Sequence, residues 1–276
     1  MFEKLNNLDV RILYVLMVIA ATFPLLRPIG LPLPISAQVK ASYSAIETNI
    51  KQNDLVFIGV DFEPTQEAEL WPQLLSVGRH VASKGARIVL INMIAGGFRY
   101  EERFEEVLIT QFNMKYGTNL LALPFSAGRE AAFQSIVADF KGLYRVDLHG
   151  KPLTDFPLWN EIKSAKDFKM YVQIADAPDW WLRPMSQVKG LLLWNGTVAS
   201  GASTMAPLYQ SGQMCGFIIG MSGGAEYEVL TKRPGPAAAA MDAQSMGHAL
   251  IILFVILGNV GYQMARRKEA EARKAR

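Results

Sequence analysis

An uncharged run from Gly247 to Met264, closed by Arg266, Arg267 and Lys268, is the feature that most limits what this chain can become. At about 1.5 Å per residue, such a helix with its flanks matches the roughly 30 Å hydrocarbon layer of a bilayer. A transmembrane helix over 247–264 is therefore expected, followed by a basic tail over 265–276.

A second apolar run, Ile12 to Leu26, lies between Arg11 and Arg27 and contains Pro24. Its length also suits a signal-peptide core, with "ISA" at 35–37 as a poor cleavage site. The segment before it is not clearly basic, with Lys4 and Arg11 set against Glu3 and Asp9. We therefore expect an uncleaved anchor: residues 1–11 cytoplasmic and 12–27 a first transmembrane helix. Basic residues near membrane helices collect on the cytoplasmic side. The tail has six of them (Arg266, Arg267, Lys268, Arg273, Lys274 and Arg276), while Lys232 and Arg233 stand more than ten residues from the membrane. The expected topology is two-pass in a bacterial cytoplasmic membrane, with both termini cytoplasmic and the main domain extracytoplasmic.

The sequence pI of 8.9 follows from the tail. Removing its six basic and two acidic residues from totals of 28 and 25 leaves 22 against 23. With the body nearly neutral, the basic pI signals topology at the lipid bilayer and not nucleic acid as partner. Cys215 is the sole cysteine, so no disulfide forms within one chain, and its apolar neighbours suggest a buried thiol.

Residues 28–50 begin with the proline-rich "RPIGLPLPIS" and read as linker and lead-in, and 231–246 as a second linker in which Asp242 caps a helix. Between them, 51–230 alternates apolar strands with amphipathic helices. "DLVFIGV" at 54–60 and "RIVLINM" at 87–93 are strands, and the helix between them has Leu70, Leu74, Val77 and Val81 on one face, Pro72 early and Gly85 as its stop. Further strands are expected at 118–124, 169–175, 190–194 and 215–221, with helices near 100–115, 127–141, 178–188 and 201–211. Strands that are apolar throughout, alternating with helices, indicate an α/β domain with a mainly parallel sheet covered on both faces, Rossmann-like or flavodoxin-like.

"VFIGVDFEPTQEAE", "SKGARIVLINM" and "GGAEYEVL" resemble segments of uncharacterised bacterial two-span membrane proteins with an extracytoplasmic Rossmann-like domain. The resemblance implies fold and topology, and assigns no activity and no residue role.

In an open parallel sheet a ligand sits beyond the carboxyl ends of the strands. The residues expected there are Asp61 and Glu63, Gly96 and Gly97, Ser126 and Gly128, Asp176 and Asp179, then Ser222, Gly223 and Gly224. The carboxylates suit a sugar's hydroxyls or a hard cation; equally, acids near Pro64 and Pro178 cap helices. "GMSGGAE" and "IAGGF" have the composition of anion-binding turns but lack phosphate-loop spacing, and tight turns explain them as well. Trp180, Trp181 and Trp194 suit stacking on a sugar, docking a protein, or filling the core. His80, His149 and His248 match no metal spacing, and neither HExxH nor GxSxG occurs, so no metal, cofactor or catalytic residue is expected.

Inside the second span, Gly258, Gly261 and Ala265 put small side chains on one stripe, and Asn259 is positioned to hydrogen-bond across a helix contact. These features favour a structural or scaffolding subunit of a larger envelope complex, as homo-oligomer or with other membrane-protein subunits. The alternatives are an extracytoplasmic ligand-sensing or solute-binding domain and, less favoured, an envelope-sugar hydrolase or transferase using Asp61 or Asp176.

Overall fold

The computed structural model describes residues 9–176 and 179–274. They fall into two units, one spanning Leu33–Ala237 and one formed by the chain ends, up to Pro32 and from Ala238.

The larger unit is built on a parallel sheet of β1 (Leu55–Asp61), β2 (Arg87–Ile91), β3 (Leu120–Ala122), β4 (Phe168–Ala175), β5 (Leu192–Thr197) and β6 (Gly216–Ile219), in the order β3-β2-β1-β4-β5-β6. This is the doubly wound order of Rossmann-like domains, in which the chain reverses its direction of travel between β1 and β4. Asp61 pairs with Ala175 at that switch point. Every residue of β1 is buried. Alternate side chains serve opposite faces: Val56, Ile58 and Val60 enter one core, Leu55 and Phe57 the other.

The first core is covered by α2 (Ala37–Asn49), α3 (Glu67–Ser83), α4 (Phe98–Phe112) and α9 (Gly220–Leu230). The second is covered by α5 (Glu130–Leu143), α6 (Pro157–Glu161), α7 (Leu182–Met185) and α8 (Ala202–Gln210). Each strand lies within a few residues of its expected position.

Three helices depart from the sequence reading. The 28–50 segment contains α2, capped by Ser36, whose hydroxyl accepts the Val39 N–H. Its Val39 and Ile46 are buried in the core, yet Ser42, Ser44 and Thr48 dilute its apolar pattern. "GMSGGAE" is the start of α9 and no tight turn. Gly223 and Gly224 permit close packing there, since added Cβ atoms would lie 3.3 Å from Ile218 and 3.4 Å from Gln73. The helix expected at 178–188 is the shorter α7; Ala177 and Pro178 lie outside the described residues.

In the second unit, α1 (Val10–Leu26) and α10 (Pro236–Lys274) form a helical pair. Leu16 and Ala20 line one apolar groove with Ala249 and Leu253, and Gly30, later in the chain than Leu16 and Ala20, meets Asp242, earlier than Ala249 and Leu253, so the two helices run antiparallel. Among the described residues, Pro236–Arg267 is the one helix long and apolar enough to cross a membrane; α1 is apolar but shorter. Outward-facing Ile12, Val15 and Val18 on α1, and Ile252, Val255 and Ile256 on α10, leave both helices with apolar surface.

Asp242 does not cap a helix. It lies within α10, buried, and its carboxylate accepts the N–H groups of Ile29 and Gly30 at 2.8 Å and of Leu31 at 2.9 Å. Three consecutive amides turned onto one anion form a nest, which the left-handed backbone of Gly30 (φ 75°) makes possible.

Candidate functional site

The strand-end crevice at the β1/β4 switch point is filled by the chain's own polar groups. Asp61 ends β1 and is fully buried. Its Oδ1 accepts the Met93 N–H at 2.5 Å and its Oδ2 accepts the Gln173 side-chain amide at 2.7 Å. Burial pushes its carboxyl up to about 6, against the opposing effect of these hydrogen bonds. The Tyr171 hydroxyl donates in turn to Gln173 Oε1. Gly59 makes room for this network, because a Cβ there would meet Gln173 Oε1 at 2.1 Å and the Tyr171 hydroxyl at 2.5 Å.

Behind Asp61 lies a second buried carboxyl that the sequence did not reveal. Glu101, in the first turn of α4, is fully buried, and neither of its oxygens has a hydrogen bond of normal geometry. The Asn92 side chain and the Leu123 amide give it only weak support. Burial raises its pKa well above the usual carboxyl range, and the nearby Asp61 and Glu105 add to the shift. The buried Asn92 Nδ2 and Tyr144 hydroxyl also lack partners of normal geometry. Asn92 Oδ1 is occupied by the Ile94 N–H at 2.8 Å, which fixes the orientation of the amide.

The remaining expected residues are spread around the rim. Glu63 is exposed at the start of a 3₁₀ turn, where its N–H donates to Gln66 Oε1 at 2.6 Å. Gln66 also reaches the half-buried Asp176, at 3.4 Å. Asp179 is exposed and contributes its backbone carbonyl to the Leu182 N–H. Trp180 is half-buried against Phe133, whereas Trp181 is wholly buried against Tyr171. Trp194 lies inside β5 and donates its indole N–H to the Ser42 carbonyl at 3.1 Å. Ser126 is half-buried, with its N–H on the Asn92 carbonyl. Ser222 is exposed in the first turn of α9, and Gly223 is buried beneath it.

The start of α9 is unsuited to an anion. The Glu69 carboxylate accepts the Ala199 N–H at 2.8 Å and stands 3.0 Å from where a Cβ on Gly220 would lie. The Gln73 amide spans the carbonyls of Thr197 and Gly220. Among the described residues, no group of three or more His, Cys, Asp or Glu could hold a metal ion.

In the second unit, the Asn259 amide donates to the Val255 carbonyl of its own helix at 2.9 Å, so it is satisfied without a neighbouring helix. Gly261 is buried and Ala265 half-buried, whereas Gly258 faces open space.

Neither a protein-family model nor a curated protein matches the chain. Among solved structures it is similar to the crystal structure of Mycobacterium tuberculosis shikimate dehydrogenase, with 13% identity and a TM-score of 0.33 over 75% of this chain. The chain spans 61% of that protein's length, and nothing about substrate or cofactor passes between them at this level of likeness.

Proposed function

We propose that this chain is a two-span membrane subunit of a larger bacterial envelope assembly, and that its extracytoplasmic α/β domain works by contact with other proteins. One observation carries the reading: at the strand ends Asp61 and Gln173 are buried and bonded to the chain's own groups, while two large apolar side chains beside the polar rim stay exposed. Phe98, after β2, and Phe125, after the neighbouring β3, are each 43% exposed. Exposed aromatic side chains at the start of a helix and on the loop after the neighbouring strand suit the anchoring positions of a protein interface. The Asp242 nest supports retention of α1, because cleavage near residue 36 would leave a buried carboxylate without its three donors. The basic tail supports the orientation.

The test is the mass and composition of the particle extracted in mild detergent. A stoichiometric assembly that Phe98→Glu with Phe125→Glu disrupts is the expected result; a lone chain in both forms would overturn the proposal. A second reading, ligand sensing, keeps Glu63, Ser126, Asp176, Asp179, Trp180 and Ser222 as accessible groups among its candidates. It predicts ligand-dependent thermal stabilisation that Asp176→Ala and Trp180→Ala abolish. A sugar hydrolase working through Asp61 is disfavoured by the complete burial of that carboxyl.

A further inference from the structure

The segment 92–101 runs from the end of β2 into the first turn of α4 and carries Phe98, exposed, at the start of that helix. Buried carboxyls meet it at both ends. Near its start, Met93 donates its N–H to Asp61; at its end, Glu101 turns inward with both oxygens lacking normal hydrogen bonds. Gly97 lets the segment lie against the sheet end, since a Cβ there would fall 2.2 Å from the Val60 carbonyl and 2.6 Å from Asn92 Nδ2.

The titratable groups around the pair bring little positive charge. Asp176 and Tyr171 act on Asp61 from β4 and the turn after it, and Tyr144 faces both carboxyls from the end of α5. Glu105 lies one turn further along α4 and is engaged by His149 at 3.0 Å. Glu63 lies beside Gly96, and Glu67 of α3 takes the Tyr100 hydroxyl and Arg103 on the outer side of α4. Two like charges in a space closed to water are strongly unfavourable, and one proton removes the conflict.

We propose that Asp61 and Glu101 retain one proton between them, that this proton holds the 92–101 segment and its Phe98 edge against the sheet end, and that its loss releases the segment. Asp61, with two well-aligned donors directed at it, carries the charge; Glu101, with only the weak support of Asn92 and Leu123, carries the proton. The device stands whether or not Phe98 meets a partner.

The experiment uses the full chain in detergent. Infrared spectroscopy at neutral pH is expected to show a buried, protonated carboxyl that Glu101→Gln removes and Asp61→Asn leaves. Hydrogen exchange of the 92–101 amides, corrected for intrinsic rates, is expected to lose protection as pH rises, by up to about tenfold per pH unit, the slope for one proton. Glu101→Gln, which imitates the neutral acid, flattens that slope. Absence of the carboxyl band in the unmodified chain, or protection that does not change with pH, would overturn the proposal, and neither result depends on a variant folding.

Discussion

Asp242 and Gly30, 212 residues apart in sequence, are joined by a 2.8 Å hydrogen bond from the Gly30 N–H to the Asp242 carboxylate. With the amides of Ile29 and Leu31 on the same carboxylate, this contact closes the end of the α1/α10 pair. Asp242→Ala removes the shared acceptor of three part-buried amides, and we expect a loss of about 1.5–3 kcal/mol, the range for hydrogen bonds to a charged group. Thermal unfolding in detergent and faster proteolysis within 28–36 measure it, with Asp242→Asn intermediate.

Gly59→Ala drives a methyl group into the Gln173–Tyr171 contact. A destabilisation of about 1–3 kcal/mol is expected, as for overpacking of a dense core. The double variant with Gln173→Ala should recover part of it, because the two sites share one contact. Additive losses in a double-mutant cycle would refute the steric account.

His80 links three helices: its ring stacks on Tyr43 at 4.4 Å, its Nε2 faces Glu47 at 2.8 Å and its Nδ1 faces the Tyr227 hydroxyl at 2.8 Å. With the ring proton on Nε2 donated to Glu47, Nδ1 accepts from Tyr227. Burial lowers the His80 pKa below its ordinary 6.5, and Glu47 only partly opposes this. The unfolded chain therefore binds the proton more readily, so this contribution is present above about pH 6.5 and is lost as pH falls below it. The Glu47 carboxyl, held below its ordinary value by His80 and then Lys84, acts in the same direction at lower pH. Denaturant titrations across pH 5 to 7 should show a slope of stability against pH that is less positive in His80→Gln than in the unmodified chain, which isolates the His80 contribution from the opposing ones of Asp61 and Glu101. Glu101 contributes with the opposite sign: its folded pKa is raised, so its contribution is largest in acid and declines as pH rises from about 4.5.

Phe98→Glu and Phe125→Glu alter exposed side chains, so the stability of the isolated chain should change by no more than about 0.5 kcal/mol. Loss of an associated subunit without loss of thermal stability would separate an interface from a packing role.

Asn259→Leu should leave any helix association unchanged, since its amide is already bonded to Val255. Gly258→Leu, at a position facing open space, should leave the helix pair folded and weaken only contact with a further helix. Crosslinking in membranes compares the two; equal loss of association in both would return Asn259 to the contact.

The strands were legible because six apolar runs separated by turn residues leave few options other than a parallel sheet. Gln173, a polar residue inside the apolar "KMYVQIA", was the available sign of a polar site at the sheet centre. Glu101 gave no such sign. In "RYEERFEEVL" it is one of four glutamates on a helix that reads as a solvated acidic face.

Local chemistry carried in the order of residues determines the apolar helical runs, the basic tail and the alternation of strand and helix, since each depends on neighbours a few positions away. Only the tertiary structure decides which acid is buried and which is wet. Glu101 and Glu102 differ by one position, or about 100° around a helix, and the interior beside Asp61, Asn92 and Leu123 receives the first while water receives the second. Asp242 likewise became a latch when a glycine 212 residues earlier was brought to it. A carboxylate's role is set by the donors and dielectric that folding assembles around it, and those come from distant parts of the chain.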